Sequence, residues 1–250
     1  MIIMNKKRYG LLGKNISYSF SRGYFKEKFE AGNYEGCSYE NFDIPEITDF
    51  PNIIAHNPSE LKGINVTIPY KEVVIPYLDK LSKKAAKIGA VNTIKITKKG
   101  KLKGYNTDYY GFKKSLEPLL QGHHKKALIL GTGGASKGVA FALEELGIDC
   151  VFVSRNSKEN TLDYSQLNSA IFNEYHIVIN STPVGTSPDI DACPDIPYEF
   201  FSDKHIAYDL IYNPAETKFL QKAKAKGAQI KNGLRMLELQ AEKSWEIWNK

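Results

Sequence analysis

The sequence predicts an α/β protein of two domains, the second a doubly wound parallel sheet, and three observations carry that prediction. In "KKALILGTGGASKGVAFALEELG" (125–147) four apolar residues, Ala127 to Leu130, form a buried strand. A run of glycines then makes a turn, and Val139, Leu143 and Leu146 recur at helical spacing until Gly147 stops the helix. From there strands alternate with helices through "CVFVSRN" (150–156), "HIVINSTPVG" (176–185) and "HIAYDLIY" (205–212), the pattern of a parallel sheet covered by helices. The texture changes near residues 104 and 234, which assigns 104–235 to this domain and 1–103 plus 236–250 to an N-terminal α/β domain.

In the N-terminal domain "RYGLLG" (8–13) reads as a strand, "SRGYFKEKFEA" (21–31) as a helix, and "CSYENFDI" (37–44) and "LKGINVTI" (61–68) as strands. A helix is predicted from Pro69 to about Asp79, broken or restarted at Pro76. The strand "AVNTIKI" (90–96) follows, and a turn at Lys99-Gly100 returns the chain through "KLKGYN". Another helix begins at Asp108, with Phe112, Leu116 and Leu119 on its inner face. The chain closes in "GLRMLELQAEKSWEIWNK", where Leu234, Leu237, Ala241, Trp245 and Trp248 share a helical face that reads as core contact.

A chain of 250 residues with 42% hydrophobic and 25% charged side chains can bury a real core. Its formal charge of +6 comes from lysines spread along the whole length, without charge blocks or aromatic-basic interleaving, so nucleic acid is not expected and anionic small molecules are. Cys37, Cys150 and Cys193 are odd in number, far apart and without metal spacing, which argues for a reducing compartment and no metal. With no signal peptide or membrane-spanning run in evidence, the expected location is the cytoplasm.

The glycine turn, Gly131-Thr132-Gly133-Gly134-Ala135-Ser136, joins a strand to a helix, where glycines have physical work. Gly131 permits the tight turn, Gly133 lets the backbone approach a pyrophosphate, and the helix N-terminus offers free N–H groups and a positive dipole end. Ser136 stands where a full G-x-G-x-x-G has its third glycine, and a turn of this kind also occurs with no ligand. The next strand ends Ser154-Arg155-Asn156-Ser157-Lys158. An acid there would favour NAD; an arginine with a nearby lysine would attract the 2′-phosphate of NADP, unless Arg155 and Lys158 simply face water. The domain is therefore expected to be Rossmann-like.

In "GINVTIPYKE" (63–72), Pro69 suits a first helical position, which places Lys71 in the first turn, where the dipole disfavours a cation and so favours an amine able to give and take a proton. A nearby aspartate, Asp108 of "GYNTDYYGFKKSL", would hold that ammonium. On spacing alone the plainer readings stand first: a solvated lysine and a helix-capping aspartate.

Taken together, "GINVTIPYK", "GAVNT" (89–93), "GYNTD" (104–108), "GTGGAS" (131–136), "YDLIYNP" (208–214) and "GLRMLELQA" (233–241) resemble, in order and spacing, the motif series of shikimate dehydrogenases over nearly the whole chain. The resemblance implies a reversible, NADP-dependent reduction of 3-dehydroshikimate to shikimate, in the route to aromatic amino acids. It makes Lys71 the acid/base and Asp108 its paired carboxylate. Ser19 and Ser21 match the serines that hold the substrate carboxylate, with Tyr212 at the same end. Thr67, Asn92 and Gln240 match residues that bind ring hydroxyls, with Asn65 a neighbour. The 131–135 turn and the segment from Ser154 match cofactor elements, and Leu210 and Gly233 match positions near the nicotinamide. Neutral Ser, Thr, Asn and Gln suit a small polyhydroxylated carboxylate because they give directional donors and acceptors without a competing charge.

The chain departs from the family in several places. Arg22 stands where proline is common, Phe25 where histidine is frequent, and Glu159 where a further arginine is expected, with Lys158 as a candidate replacement charge. Three rival readings follow: a quinate/shikimate dehydrogenase using NAD, a non-catalytic dinucleotide-binding regulatory module, and another two-domain oxidoreductase such as a folate-linked dehydrogenase. No membrane partner is expected, and the chain is expected to act as a monomer or homodimer.

Overall fold

The computed structural model describes residues 6–17, 19–155 and 161–250. The chain divides into two compact units, Met1–Thr107 with Ala241–Lys250, and Asp108–Gln240.

The first unit contains β1 (Lys7–Gly13), α1 (Phe20–Ala31), β2 (Cys37–Asp43), α2 (Phe50–Ala55), β3 (Leu61–Val66), β4 (Lys80–Leu81), α3 (Lys83–Ile88), β5 (Thr93–Ile96) and β6 (Leu102–Tyr105). Its sheet runs β2-β1-β3-β5-β6-β4. The β1–β2 and β1–β3 pairs are parallel, whereas β5 runs antiparallel to both β3 and β6, so the sheet is mixed. The pleat of β3 sends Ile64 and Val66 into a core with Leu12, Phe50, Val74 and Ile94. Gly63 faces the other way, against the indole of Trp248; a Cβ there would lie 2.2 Å from Trp248 Nε1, so only glycine fits. That indole donates to the Ile94 carbonyl at 3.0 Å and packs among Tyr9, Phe25 and Phe29. Phe25 stacks on Tyr39 with ring centroids 4.6 Å apart.

The predicted helix over 69–79 does not form. Turns run from Ile68 to Val74, followed by a 3₁₀ turn at Ile75–Tyr77. Pro76 lacks an N–H and its ring crowds the carbonyl four residues back, while the Lys71 carbonyl accepts from Val91 N–H at 2.7 Å rather than from its own segment. Lys71 therefore does not sit at a helix N-terminus, and the dipole argument for its reactivity falls.

The second unit contains α4 (Asp108–Leu116), β7 (Lys126–Leu130), α5 (Gly134–Glu145), β8 (Asp149–Val153), β9 (Thr161–Leu162), α6 (Ser169–Glu174), β10 (Ile177–Asn180), β11 (Ile206–Asp209), α7 (Lys218–Lys224) and β12 (Gln229–Lys231). The last helix, α8 (Leu234–Asn249), begins in this unit and ends in the first. All pairings are parallel, in the order β12-β11-β10-β7-β8-β9, so the winding reverses between β7 and β10. That is the Rossmann-like order, and ligands of such sheets bind beyond the carboxyl ends of the strands at this switch point. Along β7, Ala127 and Ile129 face the core under α4, α5 and α8, while Leu128 and Leu130 face the core under α6 and α7, which explains the unbroken apolar run. In α8, Ala241 and Trp248 are buried as expected, but Leu234 is exposed: it opens the helix ahead of the packed stretch.

At the amino edge of this sheet, His124, His176 and His205 precede β7, β10 and β11. The His123 ring lies 4.1 Å from that of His124 and 5.3 Å from that of His176, which is 5.3 Å from His205. The ring of His124 accepts from Gln121 N–H and that of His205 from Ser202 N–H. Nδ1 of His176 is buried and, among the described residues, has no hydrogen-bond partner. Burial, with mutual repulsion, holds all three below the ordinary imidazole range.

Candidate functional site

In the first unit the predicted residues gather at one edge of the mixed sheet, where β1, β3 and β6 end and the antiparallel β5 begins. Ser19 caps α1, its Oγ accepting from Ser21 N–H at 3.2 Å. The loop before it meets Thr67 over Gly13, where a Cβ would strike Ile16 and Thr67 at 2.5 and 2.6 Å. Lys71 is half-buried and follows directly.

Asn65 and Asn92 are buried in a polar network. Tyr39 Oη donates to Asn65 Oδ1 at 2.9 Å, and Asn65 Nδ2 donates to Ser244 Oγ at 3.0 Å and the Asn92 carbonyl at 3.2 Å. Ser244 Oγ and Thr93 Oγ1 are 2.8 Å apart, and Thr93 donates to Asn92 Oδ1. Asn92 in turn receives Thr107 N–H at 2.6 Å and donates through Nδ2 to Thr107 Oγ1. Burial pushes the Tyr39 phenol far up, against a smaller downward pull from Ser21, so it remains a neutral donor linking Ser21 to Asn65. Sequence reasoning missed Tyr39, Thr93, Thr107 and Ser244. Ser244 had a signal, as a serine in the apolar stripe of the last helix.

In the second unit Asp108 opens α4 and is buried. One turn later a Cβ on Gly111 would lie 2.4 Å from the Met236 carbonyl and 3.1 Å from Gln240 Cβ. The first turn of α4 thus packs against the turn of α8 that carries Gln240. Leu210 and Gly233 also meet: a Cβ on Gly233 would fall 2.0 Å from the Leu210 carbonyl oxygen, and Gly233 N–H donates to Ile211 O at 3.0 Å. Tyr212 continues that loop and is half-buried.

Gly131 has φ +97, which L side chains rarely adopt, and its N–H donates to Val153 O at 2.9 Å, placing the turn beside Ser154 and the exposed Arg155. Gly133 is the N-cap of α5; no side chain caps that helix among the described residues, and a Cβ at Gly133 would meet nothing within 4 Å. Thr132 is exposed, and Gly134 and Ala135 open the helix. Free donors, open space and a helix dipole are what a pyrophosphate requires, so the turn fits a dinucleotide. Asn156 and Lys158 lie outside the described residues. Among those described, no group of three His, Cys, Asp or Glu side chains could hold a metal, and no helix is long and apolar enough to cross a membrane.

Residues 11–94 match the model of the shikimate dehydrogenase substrate-binding domain. An NADP(+)-type shikimate dehydrogenase of Caldanaerobacter subterraneus is 38% identical, over 97% of this chain and 91% of that one. The crystal structure of shikimate dehydrogenase from Aquifex aeolicus superposes with a TM-score of 0.87 at 33% identity, covering 100% of this chain and 94% of the other. That of the Thermus thermophilus enzyme in complex with NADP(H) and shikimate gives 0.85 at 33% identity, covering 97% and 93%. Similarity of this extent, over a sheet order and a motif series that agree with it, places the chain in the shikimate dehydrogenase family.

Proposed function

We propose that this protein catalyses the reversible, NADPH-dependent reduction of 3-dehydroshikimate to shikimate, in the cytoplasm, as a step toward aromatic amino acids. One observation carries the reading: in each unit the loops bearing the motif residues leave the sheet at a single edge, polar side chains in the first and a glycine turn in the second. The bound dinucleotide supplies the hydride. Lys71 Nζ donates the proton to the ring oxygen as it becomes the alcohol and recovers it in the reverse direction, with Asp108 the second catalytic residue that the motif series supplies. Ser19, Ser21 and Tyr212 hold the substrate carboxylate, and Asn65, Thr67, Asn92 and Gln240 fix the ring hydroxyls. The buried network behind Asn65 and Asn92 keeps their amides in one orientation, so the pocket is preorganised and binding need not order it. Gly131, Thr132, Gly133, Gly134 and Ala135 cradle the pyrophosphate. Ser154, Arg155, Asn156 and Lys158 attend the 2′-phosphate end, with Leu210 and Gly233 beside the nicotinamide.

The test is an absorbance assay of the purified chain with shikimate and NADP, then with NAD, and with quinate in place of shikimate. The expected result is NADP reduction with shikimate well above the other three pairings. Faster turnover of quinate with NAD would make the protein a quinate dehydrogenase, and no turnover with any pairing would make it a non-catalytic binder.

A further inference from the structure

Asp209 is fully buried at the end of β11 and takes no part in the proposed chemistry. Three donors converge on it. Thr217 Oγ1 donates to Oδ2 at 2.6 Å, and Ile211 N–H and Asn180 Nδ2 donate to Oδ1 at 3.0 and 3.1 Å. A carboxylate only accepts, so it satisfies all three; an asparagine would turn its NH₂ toward at least one of them. Burial pushes the carboxyl up to about 6, against the pull of these three hydrogen bonds.

The donors belong to the loops at the carboxyl edge. Ile211 begins the stretch that holds Leu210 against Gly233 and leads to Tyr212. Thr217 is the N-cap of α7, where that loop ends, and its oxygen also accepts Leu220 N–H. Asn180 ends β10; its carbonyl receives Leu210 N–H at 3.0 Å, and its Oδ1 accepts from Thr182 N–H and Oγ1 at 3.1 and 2.6 Å. Thr182 Cγ2 is the atom that a Cβ on Gly131 would meet at 2.9 Å, so the same knot reaches the wall of the glycine turn.

We propose that Asp209 is a positioning residue for the dinucleotide, tying the 210–217 loop and, through Asn180 and Thr182, the flank of the glycine turn into the shape that receives the nicotinamide half of the cofactor. It touches neither substrate nor cofactor and acts through Leu210, Tyr212 and Thr182. The proposal rests on the reading of the second unit as the dinucleotide-binding half.

The test compares Asp209→Asn, Thr217→Val and Thr217→Ser with the wild-type chain, by steady-state kinetics in NADP and in shikimate, NADP titration calorimetry and thermal melting. Loss of a charge-assisted hydrogen bond should lower kcat/KM for NADP about tenfold or more in Asp209→Asn, with KM for shikimate within about twofold. Thr217→Val should move the same way by a smaller factor, and Thr217→Ser, which keeps the hydroxyl, should restore wild-type values. A lowered melting temperature with unchanged kcat and KM for NADP would make Asp209 a stabilising residue only and overturn the proposal, as would equal losses for both substrates. If Asp209→Asn does not fold, equal NADP kinetics in Thr217→Val and Thr217→Ser overturn it. If the wild-type chain turns over no substrate, the enzymatic reading fails separately, and the NADP Kd of the three variants still decides the positioning role.

Discussion

At the working edge of its sheet each unit presents polar groups, but the two draw them from different parts of the chain. The first builds its edge from side chains: Asn65, Asn92, Thr93, Thr107 and Ser244 share one buried network, backed by Tyr39. The second builds its edge from main chain, with a positive-φ glycine, a helix start that has no side-chain cap among the described residues, and a loop held against Gly233. A ring with several hydroxyls must be read atom by atom, which takes side chains of particular lengths. A pyrophosphate repeats on every dinucleotide, and backbone N–H groups suffice for it. Damage to the first unit should therefore follow residue chemistry, and damage to the second should follow backbone shape.

The largest expected effect lies in the first unit. Lys71→Ala should lower kcat by about two to four orders of magnitude with KM for shikimate changed only a few-fold, as for a lost general acid/base; near-normal turnover would remove the assignment. In the second unit Gly131→Ala, which adds one methyl at φ +97 and 2.9 Å from Thr182 Cγ2, should weaken NADP about tenfold or more while sparing shikimate. A matching loss for both substrates would break the division of labour. Arg155→Ala should raise KM for NADP about tenfold and leave NAD nearly unchanged; equal losses would show that the side chain does not read the 2′-phosphate.

The smallest effect separates the units by acid. His124, His176 and His205 have folded pKa values below the unfolded one, so below about 6.5 the unfolded chain binds more protons and stability of the second unit falls with pH. Asp209 works in the opposite sense: its carboxyl is raised to about 6, so it gains stability as the pH falls through that value, but it does so at the carboxyl edge of the sheet, opposite the histidines. In the first unit, Glu246, lowered to about 2 by Lys243 and Lys250, and Glu242 lose their contributions only below the ordinary carboxylate range. Between roughly pH 6.5 and 4.5 hydrogen exchange should therefore quicken first at the histidine edge of the second unit, around the starts of β7, β10 and β11. Earlier loss in the first unit would refute the histidine account.

Local pattern made much of this fold legible. The unbroken apolar run 127–130 announced a strand buried on both faces, and the Lys99-Gly100 turn announced the β5–β6 hairpin; Gly100 has φ +74. The segment from 69 to 79 misled because Pro69 imitates a helix start, while the hydrogen bond that settles the backbone of Lys71 comes from Val91, twenty residues on. The antiparallel pairing of β3 with β5 had no local mark either. In the site, residues in contiguous motifs were readable one by one. The hydrogen-bonded partner of Asn65 on the last helix stands 179 residues away, and no periodicity connects them. Asp209 lay in plain view inside "YDLIYNP", yet one of its donors comes from the end of β10, 29 residues earlier, and the other two from the loop that follows it.

The seat of Trp248 against Gly63 has a consequence for biosynthesis. The carbonyl that receives its indole belongs to Ile94, 154 residues earlier, so the amino-terminal unit must wait on the ribosome for the final turns of the last helix. At ordinary elongation rates that delay is on the order of ten seconds. During it Tyr9, Phe25 and Phe29 lack their indole cover, and the later-made nucleotide unit has most of its chain available first, which inverts the usual vectorial order.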